Sequence, residues 1–177
     1  MTRLEAALAG LRRWDERHTL RLNRALAYPV VHALFWAASR AGNGIAWYAL
    51  MLAMLLADPR GSAGAVLHMA AVGLAGTLAY TLLKRGTHRP RPCDVHAHIR
   101  AGDVPLDRFS FPSGHTLHAT AFTIVALAYH PGLAPLVVPF ALLVAASRVV
   151  LGLHYPSDVL AGAAIGAAIA AASFAAL

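Results

Sequence analysis

The chain has 177 residues, 58% of them hydrophobic and 13% charged, with a mean hydropathy of +0.57. A soluble domain carries roughly 25% charged residues, so this composition excludes an ordinary soluble globule and indicates a single integral membrane domain spanning residues 1–177. The formal net charge is +7, but the basic residues fall in two blocks without an aromatic-interleaved platform, which argues against nucleic acid and for membrane lipids or a phosphate ligand.

Residues 2–26 predict an amphipathic interfacial helix, assigned to 1–26. Leu4, Leu8, Leu11, His18 and Leu22 recur at helical steps, and Arg13, Arg17, Arg21 and Arg24 form a displaced stripe. Six arginines against Glu5, Asp15 and Glu16 suit a helix lying on anionic headgroups. The block lacks the continuous apolar core of a cleavable signal peptide. The apolar run 25–38 is short against the roughly 20 residues a crossing needs, and predicts a re-entrant or interfacial helix. Residues 39–44 predict a turn. The apolar segment 45–57 crosses if Gly42–Gly44 is drawn into the headgroup region, and Asp58–Gly61 breaks it.

Residues 62–83 form a convincing span, with Gly64, Gly73 and Gly76 offering small faces for helix packing. Residues 84–108 predict a polar loop with six basic residues, three acids and three prolines. Further spans follow at 112–129, 134–150 and 157–177. The expected architecture is an all-α membrane bundle of about five transmembrane helices plus N-terminal interfacial helices. Trp36, Trp47 and Tyr48 are expected at headgroup level. His32, His68 and His130 have no partner visible in sequence.

From Phe109 onward only Arg148 and Asp158 carry formal charge. Ionisable residues in lipid-compatible sequence are costly and by default point to function. Consecutive short-looped spans run antiparallel, so the end of 62–83, the start of 112–129, the end of 134–150 and the start of 157–177 share one membrane face. Those ends carry Lys84, Ser113 with His115, Arg148, and His154 with Asp158.

The chemistry implied is phosphoryl transfer. Lys84, Arg91 and Arg148 are cations suited to phosphate oxygens, and Ser113–Gly114 opens a helix whose free N–H groups attract anions. A carboxylate four residues after a histidine predicts that Asp158 accepts one ring N–H of His154, leaving the other nitrogen as a nucleophile. His115 then protonates the leaving oxygen. The catalytic set is His154, His115 and Asp158; the phosphate-binding set is Lys84, Arg91, Ser113, Gly114 and Arg148. No metal and no cofactor is required. The single Cys93 rules out an internal disulfide or multi-cysteine metal site, and His96-Ala97-His98 has no carboxylate cluster beside it.

Three segments, Lys84 to Pro92, Pro112 to His115 and Ser147 to Asp158, resemble the K-x6-RP, PSGH and SR-x5-H-x3-D motifs of the type 2 phosphatidic acid phosphatase superfamily, in order and at matching spacing. The resemblance covers about residues 62–177, which it marks as the catalytic core. It implies a phosphohistidine on His154, with His115 as general acid. It also implies a bacterial inner-membrane enzyme whose site faces the periplasm or exterior, an orientation that the loop charges leave open.

The substrate expected is a lipid phosphate or diphosphate, with undecaprenyl diphosphate leading. Phosphatidylglycerol phosphate, phosphatidic acid or lipid A phosphate are alternatives, and so is a non-enzymatic lipid-phosphate binder. Simpler readings of single residues also stand: Arg148 and Asp158 as a mutual ion pair, and Arg85, Arg89, Arg100 and Arg108 as solvated loop charges.

Overall fold

The computed structural model describes residues 2–176, and within them the chain is all-helical. Helix α1 (Arg3–Asn23) opens with a capping box, in which the Thr2 hydroxyl accepts from the Glu5 N–H and the Glu5 carboxylate accepts from the Thr2 N–H. A short 3-10 turn, Arg24–Ala27, leads to α2 (Pro29–Arg40), which starts on a proline already set to the helical φ. Leu4, Leu8, Leu11 and Leu22 are all exposed along α1, as an interfacial helix requires.

The turn expected at 39–44 is instead a kink within nearly continuous helix. Residues Ala41–Ile45 form a wide turn, with Gly44 at φ +108°, and α3 (Ala46–Ala57) continues from it. Helix α4 (Pro59–Thr87) starts on Asp58, whose side chain accepts from the Gly61 N–H. The remaining helices are the single turn α5 (Pro92–Val95), α6 (Gly114–Tyr129), α7 (Ala134–Val150) and α8 (Pro156–Ala175).

The helical stretches Pro59–Val95, Pro131–Val150 and Pro156–Ala175 are long and apolar enough to cross a bilayer. Their outward leucines, among them Leu67, Leu74, Leu142 and Leu160, are exposed. Such a surface is stable only where the surrounding solvent is itself apolar. The protein is an integral multi-pass membrane protein.

Helix α6 is the centre of the bundle and packs against α4, α7 and α8. Gly162 and Gly166 let α8 touch its backbone. A Cβ on Gly162 would lie 2.5 Å from the Ser113 carbonyl oxygen, and one on Gly166 would collide with the Leu117 carbonyl. This close approach places the Ser113 N–H 3.1 Å from the Asp158 carbonyl, so the starts of α6 and α8 are tied together.

Trp47 does not face the surroundings as an interfacial anchor would. It is buried in the core between Phe122 and Phe140, with ring centroids 5.4 Å from each. Of the three aromatic candidates for the interface on α2 and α3, the one facing α6 and α7 is taken by packing, while Tyr48 and Trp36 remain exposed. The histidines without visible partners acquire them across the bundle. His68 bonds the Tyr129 hydroxyl (3.2 Å) and Ser173 Oγ (2.7 Å), His130 bonds Ser62 (3.3 Å), and His32 bonds the Gly102 carbonyl (2.7 Å).

Candidate active site

The connection from α4 to α6 is an ordered cover over one end of the bundle. Its Ile99 and Ser110 are buried, the Gly102 N–H donates to the Leu151 carbonyl (2.9 Å), and Asp103 pairs with Arg40 (2.9 Å). On the other side of that contact Gly152, at φ +71°, turns the chain between α7 and α8. A Cβ there would lie 2.6 Å from the Arg100 carbonyl, so the turn requires glycine. Asn23 at the end of α1 closes the same corner. Its Nδ2 donates to the Arg100 and Val150 carbonyls (both 2.9 Å), and its Oδ1 accepts from the Arg100 N–H (2.8 Å).

Beneath this cover lies a cavity of about 870 Å³. Lys84, Arg91, Gly114, His115, Arg148 and His154 all line it, so the four helix ends do converge as parity requires. Ser113 and Asp158 are buried behind this wall. The Ser113 hydroxyl bonds Thr116 Oγ1 (3.0 Å), while its N–H is spent on the Asp158 carbonyl. Gly114 is thus the member of the pair that faces the cavity.

Arg91 fixes the tautomer of His154. Its Nη1 lies 3.2 Å from His154 Nε2 and 2.7 Å from the Leu153 carbonyl. A guanidinium can only donate, so Nε2 carries a lone pair and Nδ1 carries the proton. His154 sits in the turn between α7 and α8. Burial, reinforced by the positive charges of Arg148, Arg91 and Lys84, holds its pKa well below the ordinary histidine value. The ring is neutral, with the lone pair of Nε2 toward Arg91.

Asp158 stands behind the ring but does not hydrogen-bond it. Its Oδ2 is 3.8 Å from His154 Nδ1, and that nitrogen has no hydrogen-bond partner among the described residues. Both Asp158 oxygens have closer donors: Oδ2 accepts the Tyr155 N–H (2.8 Å), and Oδ1 accepts Arg89 Nη1 (2.6 Å). The direct bond expected from the four-residue spacing is therefore relaxed into a charge contact, because the carboxylate also caps the start of α8.

Nor do Arg148 and Asp158 pair with one another. Arg148 Nη1 donates to the Ser39 hydroxyl, and its buried Nε has no partner among the described residues. Lys84 and Arg91 share one carboxylate, Asp107, which approaches Lys84 Nζ at 2.6 Å and Arg91 Nη2 at 2.8 Å. Burial tends to raise the Asp107 carboxyl pKa, but the hydrogen bonds and charges of Lys84 and Arg91 outweigh it and hold the group below its ordinary value.

Two further residues belong to this neighbourhood. Arg89 is not a solvated loop charge: it joins Asp158 to the fully buried Asp15 of α1 (2.7 Å). Charge balance against the arginines accounted for Asp15 in the sequence, yet one signal was available: it lies one helical step after Leu11 and one before His18, on the leucine face of α1. Among the described residues no group of three His, Cys, Asp or Glu side chains is placed to hold a metal ion.

An all-helical membrane bundle with a cation-lined cavity at its helix ends, and two histidines in its wall, defines a membrane protein built around an anion site. A sequence profile of the PAP2 superfamily matches residues 64–177, and the chain belongs to that superfamily, a family of phosphatases. The decaprenylphosphoryl-5-phosphoribose phosphatase of Mycobacterium tuberculosis is 38% identical over 127 residues, 72% of this chain and 69% of that protein. The protein of the same name from Mycolicibacterium smegmatis is 36% identical over 163 residues, 90% of this chain and 77% of its own length. The crystal structure of a transmembrane PAP2-type phosphatidylglycerolphosphate phosphatase from Bacillus subtilis superposes with a TM-score of 0.73 at 23% identity, covering 94% of this chain and 85% of that one, which shows a shared fold.

Proposed function

We propose that the protein hydrolyses the phosphate of a membrane lipid, most simply a polyprenyl-linked phosphate, through a phosphohistidine on His154. The observation that carries this reading is the Arg91–His154 contact. It leaves a neutral imidazole with its lone pair at Nε2, beside three cations and across a shared cavity from a second histidine.

Phosphate oxygens bind Arg91, Lys84, Arg148 and the Gly114 N–H. Arginine supplies planar paired donors, and the N-terminus of α6 supplies dipole and N–H. As the phosphate engages Arg91, His154 Nε2 gives up its hydrogen bond from Arg91 Nη1, attacks phosphorus and forms the N–P bond while the P–O bond to the lipid breaks. His115 donates its proton to the departing oxygen; the bound phosphate's negative charge favours the protonated ring. Phosphorylation at Nε2 makes the His154 ring cationic, and the Asp158 carboxylate faces its N–H. Water then gives a proton to His115 and attacks phosphorus, so N–P breaks and inorganic phosphate leaves. Stabilisation of charge on the non-bridging oxygens by the three cations is the largest contribution.

The cavity continues from this polar end along α3 and α4, past Trp47, Met51, Ala70 and Leu74. That apolar extension suits a lipid tail while the headgroup meets the helix ends. In this reading α3 with its kink, α4, α6, α7 and α8 are five crossings, α1 lies in the interface, and the site faces the periplasm or exterior. The similarity to decaprenylphosphoryl-5-phosphoribose phosphatases favours a prenyl-linked phosphomonoester alongside undecaprenyl diphosphate.

The test is phosphate release by purified protein in detergent. The panel comprises a prenylphosphoryl sugar phosphate, undecaprenyl diphosphate, phosphatidylglycerol phosphate and lipid A. Prenyl-linked substrates should turn over fastest. His154→Ala should lose on the order of 10³-fold or more, as removal of a covalent nucleophile does. Undiminished turnover in that variant would sink the mechanism.

A further inference from the structure

The amphipathic helix α1 contributes a carboxylate to the back of the site. Asp15 is fully buried although it lies on an arginine-rich, largely exposed helix. Its Oδ1 accepts the Ser157 N–H (2.9 Å), and its Oδ2 accepts the Ser157 hydroxyl (2.5 Å) and Arg89 Nη2 (2.7 Å). Arg89 turns its other nitrogen, Nη1, to Asp158 Oδ1 (2.6 Å) and Ser157 Oγ (2.8 Å), and its guanidinium lies 4.2 Å from the Tyr155 ring centroid. Asp158 in turn is 3.8 Å from His154 Nδ1. Asp15, Arg89 and Asp158 are joined by hydrogen bonds, and the 3.8 Å charge contact carries the line on to His154.

Anchorage of α1 does not explain this arrangement. The end of α1 is already pinned by the three hydrogen bonds of Asn23, and Leu26 packs with Leu151 and Leu153. A buried carboxylate is a costly anchor where a neutral side chain would serve. Its place across Arg89 from Asp158 suggests an electrostatic purpose.

Resting on the phosphohistidine reading above, we infer that Asp15 is a positioning residue, which neutralises Arg89 so that the Asp158 carboxylate stays free to stabilise the His154 ring when it becomes cationic. Asp15, Arg89 and Asp158 together carry one net negative charge behind the ring. Without Asp15 the group is neutral, and Arg89 draws on Asp158 alone. The phosphorylated ring, bearing its positive charge, then loses its counter-charge, while the phosphate-holding face of the cavity is untouched. Asp15 lies outside residues 64–177, which match the family profile. The helix that the sequence assigns to the membrane surface is therefore part of the catalytic unit.

The experiment measures kcat and KM of full-length protein on a lipid phosphate that the wild type hydrolyses and His154→Ala does not. Asp15→Asn should lower kcat about tenfold or more, the range usual for residues that orient a reacting group, with KM within about twofold. Arg89→Gln removes the charge that Asp15 offsets, so adding Asp15→Asn to it should cost nothing further, and the double variant should recover most of the kcat lost in Asp15→Asn alone. Asp15→Glu, which keeps the charge, should recover most of the activity. Wild-type kcat in Asp15→Asn, or losses that multiply in the double variant, overturns the inference. Should Asp15→Asn not fold, Arg89→Lys carries the test: its ammonium keeps the charge but cannot span both carboxylates. A fall in kcat alone supports the inference, and wild-type kcat overturns it. No turnover by the wild type on any lipid phosphate would instead remove the phosphatase reading itself.

Discussion

Lys84 and Asp107 form an ion pair of 2.6 Å at the mouth of the cavity, and the second oxygen of the same carboxylate holds Arg91 at 2.8 Å. A carboxylate bridging these two cations occupies the position that two phosphate oxygens take in the proposed complex. Substrate must displace it. Asp107→Asn should therefore strengthen inhibition by inorganic phosphate or vanadate about three- to tenfold, since a charge-assisted competitor is removed. Competitive inhibition constants for wild type and variant check this; weaker inhibition in the variant would show that Asp107 assists binding.

The His154 pKa fixes a pH dependence. Burial and the surrounding cations hold it well below the ordinary value of about 6.5. The unfolded chain therefore binds a proton, below about pH 6.5, that the folded site refuses. The contribution to stability is complete above that pH and is lost as pH falls further. The melting temperature should decline between about pH 7 and pH 5, less steeply in His154→Gln. In the folded protein, the His154 ring signal in nitrogen-15 histidine spectra should not titrate across that window.

Packing of α8 on α6 offers a test of how the two helix starts are held. A methyl group on Gly162 would lie 2.5 Å from the Ser113 carbonyl oxygen. Gly162→Ala should cost about 1–3 kcal/mol by overpacking. It should also lower activity, because the Ser113–Asp158 backbone contact is displaced. Thermal unfolding and phosphate release measured on the same preparation separate the two effects.

Asn23→Ala leaves the Arg100 N–H and the Arg100 and Val150 carbonyls without their partner. An unsatisfied buried polar group costs about 1–3 kcal/mol. The expected result is a lowered melting temperature and faster proteolysis within residues 96–104, the part of the cover that Asn23 holds.

The helical path and the convergence of helix ends were legible because they rest on local properties. Apolar run length sets a crossing, glycine and proline punctuate it, and antiparallel succession decides which ends meet. Lys84, Arg91, His115, Arg148 and His154 could be found that way. Asp15, Arg89 and Asp107 could not. Each owes its importance to a partner at least 16 residues away, and a charge destined for burial has the same spelling as one left in water. Trp47 shows the converse: an aromatic in an apolar helix suits interface and core equally, and only the position of Phe122 and Phe140 decides. The four-residue step from His154 to Asp158 placed the two together, but it could not reveal that Arg89 and the Tyr155 N–H also claim the carboxylate.

One nitrogen of Arg91 serves both the Leu153 carbonyl and His154 Nε2, while the other end of the same rigid plane reaches toward the phosphate position. In the proposed mechanism the nucleophile and the clamp are consequently a single mechanical part. In that mechanism a phosphate seated on Arg91 is delivered beside Nε2, which attacks once it gives up its hydrogen bond from the same guanidinium. Fidelity of alignment is thus inherited from a planar guanidinium, so a small headgroup and a large one attached to the same phosphate should be attacked with equal geometry and differ in how readily they arrive.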